Sequence, residues 1–284
     1  MSVLLDGKTL SAKIKSELKE QVAEYKLKTG KEITLAVILA GENPASKVYV
    51  RNKIKACEFV GVKSLAFYLP EDCGEEKIIE TVKSVSADDN VDGVLVQLPL
   101  PNGVNESKVL SFIPTEKDVD GFKPENLGNL AMNKEAVIAC TPKGIMRLLS
   151  EYEIPLKGKN AVVVGRSNIV GKPVAMLLLN ADCTVTVCHS KTRDLKKICS
   201  DADILVAAIG KPRFITADMI KEGAAVIDVG INRTETGLLG DVDFDGAKGK
   251  AAFITPVPGG VGPMTIAMLL TNTLECAKRR NRGF

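Results

Sequence analysis

Histidine is almost missing from this chain: His189 is the only one among 284 residues. A metal site built on imidazoles and a Ser-His-Asp hydrolase are therefore poor readings, and no metal is expected. Long apolar runs are also missing. No stretch approaches the roughly 20 apolar residues that span a bilayer, so no membrane partner is expected. The opening MSVLLDGKTL has too short an apolar run for a signal peptide before Asp6 and Lys8 interrupt it. No close C-x-x-C pair occurs among the seven cysteines, Cys57, Cys73, Cys140, Cys183, Cys188, Cys199 and Cys276. An odd number without a leader fits a reduced, cytoplasmic chain. Nor does one sign of charge dominate. With 38 Lys and Arg against 35 Asp and Glu, scattered among one another, the net +3 argues against nucleic acid and fits an anionic small molecule as well.

What is present is an ordinary globular composition, 45% hydrophobic and 26% charged, at a length that favours two domains sharing a cleft. Leu10, Ile14, Leu18 and Val22 recur at helical spacing over 9–28. ITLAVILA (33–40) is a continuous apolar run of the kind buried in a parallel sheet, and GENPAS breaks it. A helix over 46–60, a strand near 64–69, a helix near 75–87 and a strand at 91–98 follow. Prolines 99, 101, 114 and 124 punctuate a less regular stretch. After TPKG (141–144) comes a helix, then strands at 160–165, 184–188, 203–210 and 224–230 and a final helix over 264–280. Strands alternating with helices indicate α/β domains with parallel sheets.

The strand at 161–164 runs into Gly165-Arg166-Ser167-Asn168-Ile169-Val170-Gly171 and then an apolar helix. Such a glycine turn lets backbone N–H groups and a helix N-terminus meet a pyrophosphate. It is not G-x-G-x-x-G, because Ser167 stands at the second glycine and the last glycine comes one residue late. A structural strand-to-helix turn would look the same. The following strand ends in His189-Ser190-Lys191-Thr192-Arg193, with no carboxylate before Asp194. A ribose 2′-hydroxyl usually meets a carboxylate there. A 2′-phosphate would be repelled by one and welcomed by Arg166, Ser190 and Arg193 or Lys191, which favours NADP over NAD.

In the helix at 46–60, Tyr49 and Lys53 are four residues apart and share a face. Taken alone, such a lysine is ordinarily solvated and such a tyrosine packs. Gln97 raises both, as an amide inside an apolar strand that needs a partner if buried, although it could equally lie at the exposed strand end.

Six stretches then carry a resemblance that spans nearly the whole chain: SKVYVRNKIKACEFVG (46–61), DGVLVQLPLP (92–101), KDVDGF (117–122), TPKG (141–144), GRSNIVGKPVAMLL (165–178) and FITPVPGGVGPMT (253–265). The chain resembles the bifunctional methylenetetrahydrofolate dehydrogenase/methenyltetrahydrofolate cyclohydrolase family. The resemblance implies an α/β fold of two domains around a cleft, the second a Rossmann-like dinucleotide-binding domain. It implies a folate-binding catalytic domain over 1–140, on which a C-terminal helix, 264–284, packs back, and an NADP-binding domain over 141–263. It implies a homodimer working on tetrahydrofolate derivatives in one-carbon metabolism and purine biosynthesis. The ligase region of larger members is not expected here.

Carried over by position, Lys53 matches the catalytic lysine, Tyr49 the tyrosine that packs on the folate ring, and Gln97 the glutamine beside the lysine. Asp120 matches the carboxylate that recognises the pterin, although alone it would read as closing the turn Val119-Asp120-Gly121. Pro258, Gly259, Gly260, Val261 and Gly262 match a loop near the folate. Gly165, Arg166, Ser167, Ser190 and Ile231 match NADP contacts, with Thr141 a weaker match.

Oxidation of 5,10-methylenetetrahydrofolate needs mainly alignment. Hydrolysis of the methenyl cation to 10-formyltetrahydrofolate needs a base, and with one histidine on the cofactor side a lysine is the candidate. Other readings stay open. They are a monofunctional NAD(P)-dependent dehydrogenase of the same fold, a non-catalytic folate- or nucleotide-binding protein, and an unrelated Rossmann-type dehydrogenase.

Overall fold

The structure, a computed structural model, describes residues 2–235 and 237–281. Met1 and Thr236 of the two expected domains, and residues 282–284 of the expected C-terminal helix, lie outside them. The chain opens with strand β1 (Val3–Leu4) and helix α1 (Gly7–Thr29). Then β2 (Thr34–Ala40), α2 (Pro44–Val60), β3 (Lys63–Leu69), α3 (Gly74–Ala87) and β4 (Gly93–Val96) alternate. Short helices α4 (Glu106–Ser111) and α5 (Pro124–Ala131) precede α6 (Cys140–Glu151). A second series follows: β5 (Asn160–Val164), α7 (Gly171–Asn180), β6 (Thr184–Cys188), α8 (Leu195–Ser200), β7 (Ile204–Ala207) and β8 (Ala225–Asp228). The chain ends with β9 (Asn232–Thr234), β10 (Gly237–Leu239), α9 (Phe244–Ala247), β11 (Phe253–Ile254) and α10 (Val261–Arg280).

These elements form two compact units. One holds Lys13–Asn129, Glu135–Ile138 and Leu269–Phe284. Its sheet is parallel, in the order β3-β2-β4. All seven residues of the central β2 are buried, which is why its sequence is apolar without alternation. Ile38, Ile78, Val82, Val94 and Val109 meet in its core. Leu18 and Val22 of α1 are buried as their spacing requires, each contributing about 1.5–3 kcal/mol over an exposed position. From α10, Asn272 donates to the carbonyls of Val119 and Ile138 at 2.8 and 2.9 Å. Gly93 leaves room for Val119, whose Cγ1 would lie 2.3 Å from an added Cβ.

The other unit holds Met1–Ala12, Leu130–Lys134 and Ala139–Met268. Its six-stranded sheet runs β1-β11-β8-β7-β5-β6, all parallel, with β9 and β10 as a separate antiparallel ribbon. From β5 the chain steps outward to β6, the edge, and then crosses to β7 on the other side. That reversal makes a crevice at the C-terminal ends of β5 and β7, where open α/β sheets take their ligands.

Two boundaries differ from expectation. TPKG lies inside α6, and α10 begins within the glycine-proline stretch. Pro142 and Pro263 sit in first turns, where the missing N–H has no helical partner to lose. The two- and three-residue strands β1, β9, β10 and β11 are absent from the sequence-based expectation, since pairing and not periodicity defines them.

Candidate active site

Helix α2 starts firmly. Asn43 accepts from the N–H groups of Ala45 and Ser46 at 2.9 and 3.2 Å, a cap that contributes about 1 kcal/mol. Pro44 opens the helix, and Gly61, at φ 84°, closes it with its N–H on the Cys57 and Glu58 carbonyls. Its buried residues include Ser46, Val50, Cys57 and Val60. Lys53 falls in the middle of that stripe, three residues from Val50 and four from Cys57, so it is drawn half inward. Its Nζ donates to Gln97 Oε1 at 3.0 Å.

Gln97 follows β4 directly. Its backbone N–H extends the sheet to the Ile38 carbonyl at 2.8 Å, and its side-chain amide donates to the Leu98 carbonyl at 2.6 Å. The amide is thereby turned with its oxygen towards Lys53. Leu98-Pro99 is a cis peptide. Tyr49, one turn before Lys53, is 41% exposed and leaves its ring open to a ligand.

KDVDGF resolves residue by residue. Lys117 is buried and donates to the Ser86 and Asp88 carbonyls, both at 2.7 Å. Asp118 accepts from Gly121 N at 3.1 Å, Lys123 N at 2.8 Å and Asn126 Nδ2 at 2.9 Å. Burial holds its carboxyl above the usual range, and these donors pull it back. Asp118 thus closes the turn onto Gly121. A parallel bridge between Asp118 and Val94 runs this segment beside β4, so Asp120 emerges at the same end of the sheet as Gln97.

In the other unit, Gly165 has φ 127°, and an added Cβ would lie 2.1 Å from the Ala208 carbonyl oxygen. An added Cβ on Gly171 would lie 2.2 Å from the Gly165 oxygen. Both glycines are therefore demanded by close backbone approach. Ser167 Oγ accepts from the N–H groups of Val170 and Gly171 at 3.2 and 3.3 Å, which explains the longer loop: a side chain, not a third glycine, turns it into α7. Register pairs Val164 with Cys188, and Gly165 N bonds the Cys188 carbonyl at 2.9 Å. Arg166 and Ser190, both exposed, thus leave adjacent strand ends. The turn after β6 is tied by His189 N to Thr192 Oγ1 at 2.9 Å and Lys191 N to His189 Nδ1 at 3.2 Å. These residues fit a phosphorylated dinucleotide, with backbone at the pyrophosphate and a cation and hydroxyl, without a carboxylate, at the strand end.

Ile231 and the loop Pro258, Gly259, Gly260, Val261 and Gly262 line one cavity of about 110 Å³, together with Asp228. Thr141 bonds Thr265 across α6 and α10 at 3.0 Å, so its hydroxyl already has a partner. A larger cavity, about 740 Å³, lies at the N-terminal ends of β2 and β3, where Thr34 and Lys63 begin those strands. Parallel sheets bind at the other end, so size does not mark the site. Among the described residues no cluster of His, Cys, Asp and Glu could hold a metal ion.

Two family models match the chain. Tetrahydrofolate dehydrogenase/cyclohydrolase, catalytic domain, matches residues 5–120, and its NAD(P)-binding domain matches 139–281. The chain belongs to the tetrahydrofolate dehydrogenase/cyclohydrolase family. The bifunctional protein FolD of Agathobacter rectalis is 56% identical over 280 residues, covering 98% of this chain and 100% of that protein. A crystal structure of the bifunctional FolD methylenetetrahydrofolate dehydrogenase/cyclohydrolase from Campylobacter jejuni matches with TM-score 0.96 and 52% identity, covering 99% of this chain and 100% of that one. The Trypanosoma brucei enzyme, solved with NADP cofactor and inhibitor, matches with TM-score 0.95 and 40% identity, covering 99% of each chain. Both members of the pair Lys53 and Gln97 lie within the catalytic-domain match, and Gly165, Arg166, Ser167 and Ser190 within the NAD(P)-binding match.

One group within the family's cofactor domain escapes the reading of the sequence. Asp228 and Asp241, 3% and 0% exposed, accept backbone N–H groups from several segments. Burial pushes the Asp228 carboxyl up to about 6, with the N–H groups opposing. The signal that could have found it is Asp228 closing an otherwise apolar strand, AVID, with a glycine two residues on.

Proposed function

We propose that this chain oxidises 5,10-methylenetetrahydrofolate with NADP⁺ and hydrolyses the methenyl product to 10-formyltetrahydrofolate, in one-carbon metabolism. The observation that carries the reading is the Lys53 Nζ to Gln97 Oε1 bond of 3.0 Å at the C-terminal end of the catalytic-domain sheet. A lysine held by a neutral amide keeps its position without a fixed carboxylate partner. Asp120 at the same sheet end accepts the pterin N–H groups, and Tyr49 stacks on the folate ring. The loop Pro258 to Gly262 takes part in folate binding.

When bound, the nicotinamide supplies the hydride acceptor for the one-carbon bridge. Gly165 and Ser167 shape the phosphate loop, Arg166 and Ser190 receive the 2′-phosphate, and Ile231 lies against the cofactor, with Thr141 at its margin. In hydrolysis, water adds to the bridge carbon and gives its proton to Lys53. One C–N bond of the adduct then breaks as its hydroxyl oxygen becomes the formyl carbonyl, the proton on Lys53 passes to the departing nitrogen, and the hydroxyl proton leaves to solvent. Gln97 holds Lys53 in line throughout.

The domain assignment that accompanies this reading is a folate-binding catalytic domain over 1–140 with the C-terminal helix, and an NADP-binding domain over 141–263. The chain works as a cytoplasmic homodimer. All seven cysteines are free, which supports a reducing compartment. No helix among the described residues is long and apolar enough to cross a membrane. Edge strand β6 leaves Val187 39% exposed and α7 leaves Leu179 60% exposed, apolar side chains that support self-association.

The test is an absorbance assay with methylenetetrahydrofolate, run in parallel with NADP⁺ and NAD⁺. NADPH formation with methenyl absorbance clearing faster than its spontaneous hydrolysis is expected. Oxidation with persistent methenyl product would leave a monofunctional dehydrogenase, and no turnover with either cofactor would leave a binding protein.

A further inference from the structure

The two buried carboxylates of the cofactor domain take no part in the chemistry above, yet they hold its ligand-facing end together. Asp228 ends β8. Its Oδ1 accepts from Gly230 N at 3.0 Å and Asp241 N at 2.8 Å, and its Oδ2 from Val242 N at 2.9 Å. One carboxylate thus clasps both roots of the β9–β10 ribbon. Asp241 repeats the device on a second segment. Its Oδ2 accepts from Ile209 N and Gly210 N at 2.7 and 2.9 Å, and its Oδ1 from Lys211 N at 2.8 Å and Asn232 Nδ2 at 3.0 Å. That segment is the exit of β7, one residue past Ala208, against which Gly165 packs.

Neither carboxylate is in an ion pair among the described residues; seven N–H groups do the work instead. Burying an anion without a countercharge is expensive unless its oxygens are filled in this way. The glycines make it possible. An added Cβ on Gly240 would lie 1.8 Å from Asp228 Oδ2, and one on Gly230 would lie 2.2 Å from Asp241 Oδ1. Ile231, 46% exposed between Gly230 and Asn232, is carried on the clasped corner.

We infer that Asp228 and Asp241 are positioning residues for the dinucleotide: Asp228 sets the Gly230–Ile231 corner, and Asp241 sets the β7 exit behind the phosphate loop. The inference rests on the dehydrogenase reading above and adds the pair that aligns the cofactor surface. Lys53 and Gln97 belong to the other unit, so hydrolysis of the methenyl substrate, which needs no dinucleotide, provides the internal control.

The experiment compares full-length wild type with Asp228→Asn and Asp241→Asn. It measures NADP⁺-dependent oxidation, methenyl hydrolysis without cofactor, and NADPH affinity by fluorescence titration. Each variant keeps one acceptor oxygen and replaces the other by an amide that faces N–H donors. The expected result is a KM for NADP⁺ and a Kd for NADPH raised about tenfold in both, with dehydrogenase kcat and methenyl hydrolysis within about twofold of wild type in Asp241→Asn, whose carboxylate does not line the cavity of the loop Pro258 to Gly262. Should either variant fail to fold, Asn232→Ala removes one donor from Asp241, and about a threefold rise in the same KM with hydrolysis intact is expected. Hydrolysis falling in step with oxidation in Asp241→Asn would show a general structural role and overturn the inference, as would unchanged NADP⁺ constants. Wild type that failed to oxidise methylenetetrahydrofolate with NADP⁺ would instead overturn the underlying reading, and the inference with it.

Discussion

The catalytic-domain unit and the cofactor-domain unit assign their work to different parts of the chain. In the first, side chains carry the proposed site: Lys53 Nζ on Gln97 Oε1, Tyr49 at 41% exposure, Asp120 two residues past the Asp118–Val94 bridge. In the second, backbone dominates, through Gly165 pressed on Ala208, Ser167 on two amides, and two carboxylates holding chain segments in place. The physical difference follows from the tasks proposed for them. Proton transfer needs one titratable group that can move a proton, whereas a dinucleotide offers phosphates and a ring that many fixed N–H groups can meet at once.

The largest effect should come from the single side chain. Lys53→Met is expected to lower methenyl hydrolysis about 10³-fold while oxidation with NADP⁺ keeps at least about a tenth of its rate. Hydrolysis near the wild-type rate would mean that the base lies elsewhere. Next comes backbone: Gly165→Ala forces a Cβ onto the Ala208 carbonyl at an unfavourable φ, and strain of about 1–3 kcal/mol together with the clash should weaken NADPH binding about 100-fold. Fluorescence titration reads this, and unchanged affinity would show that the loop can relax without loss. Arg166→Ala should raise the KM for NADP⁺ about tenfold and leave that for NAD⁺ within about twofold. Equal effects on both would deny Arg166 the 2′-phosphate.

The smallest effect concerns pH and the buried clasp. Burial places the Asp228 carboxyl at about 6, above the ~3.9 of an unfolded aspartate. The folded state then binds the proton more tightly, so the contribution is fully present below ~3.9 and is lost as pH rises through about 6. Urea unfolding of wild type, referred to Asp228→Asn, should show stability declining from about pH 4 to about pH 6 and level above. A difference flat across that window would place the titration of Asp228 outside it.

Much of the fold is legible in the order of residues. Periodicity over 9–28, 33–40 and 75–87 locates α1, β2 and α3 within a residue or two, because an element's buried face repeats along the chain. Lys53 is harder to place. A lysine on a helix is usually solvated, but the stripe Ser46, Val50, Cys57 and Val60 passes through it, and that spacing is readable. The role of Asp118 cannot be read from sequence, since its donors on Gly121, Lys123 and Asn126 are brought to it only by the fold. The short strands β1, β9, β10 and β11 carry too few residues to show a period.

From sequence alone came the alternation of strand and helix, the glycine loop after β5, the missing carboxylate after β6 and the family resemblance. The first three are local patterns, encoded within a few residues of one another, and the resemblance is a series of such patterns in order along the chain. The resemblance put Gln97 beside Lys53, but only the tertiary structure gave the bond between Nζ and Oε1, 44 residues apart, and put Arg166 and Ser190 at neighbouring strand ends. It also decided that Asp241 reaches back 32 residues to the exit of β7. Such partners are chosen by which strands pair and in what register, and a hydrogen-bonding side chain carries no mark of the distant backbone that will satisfy it.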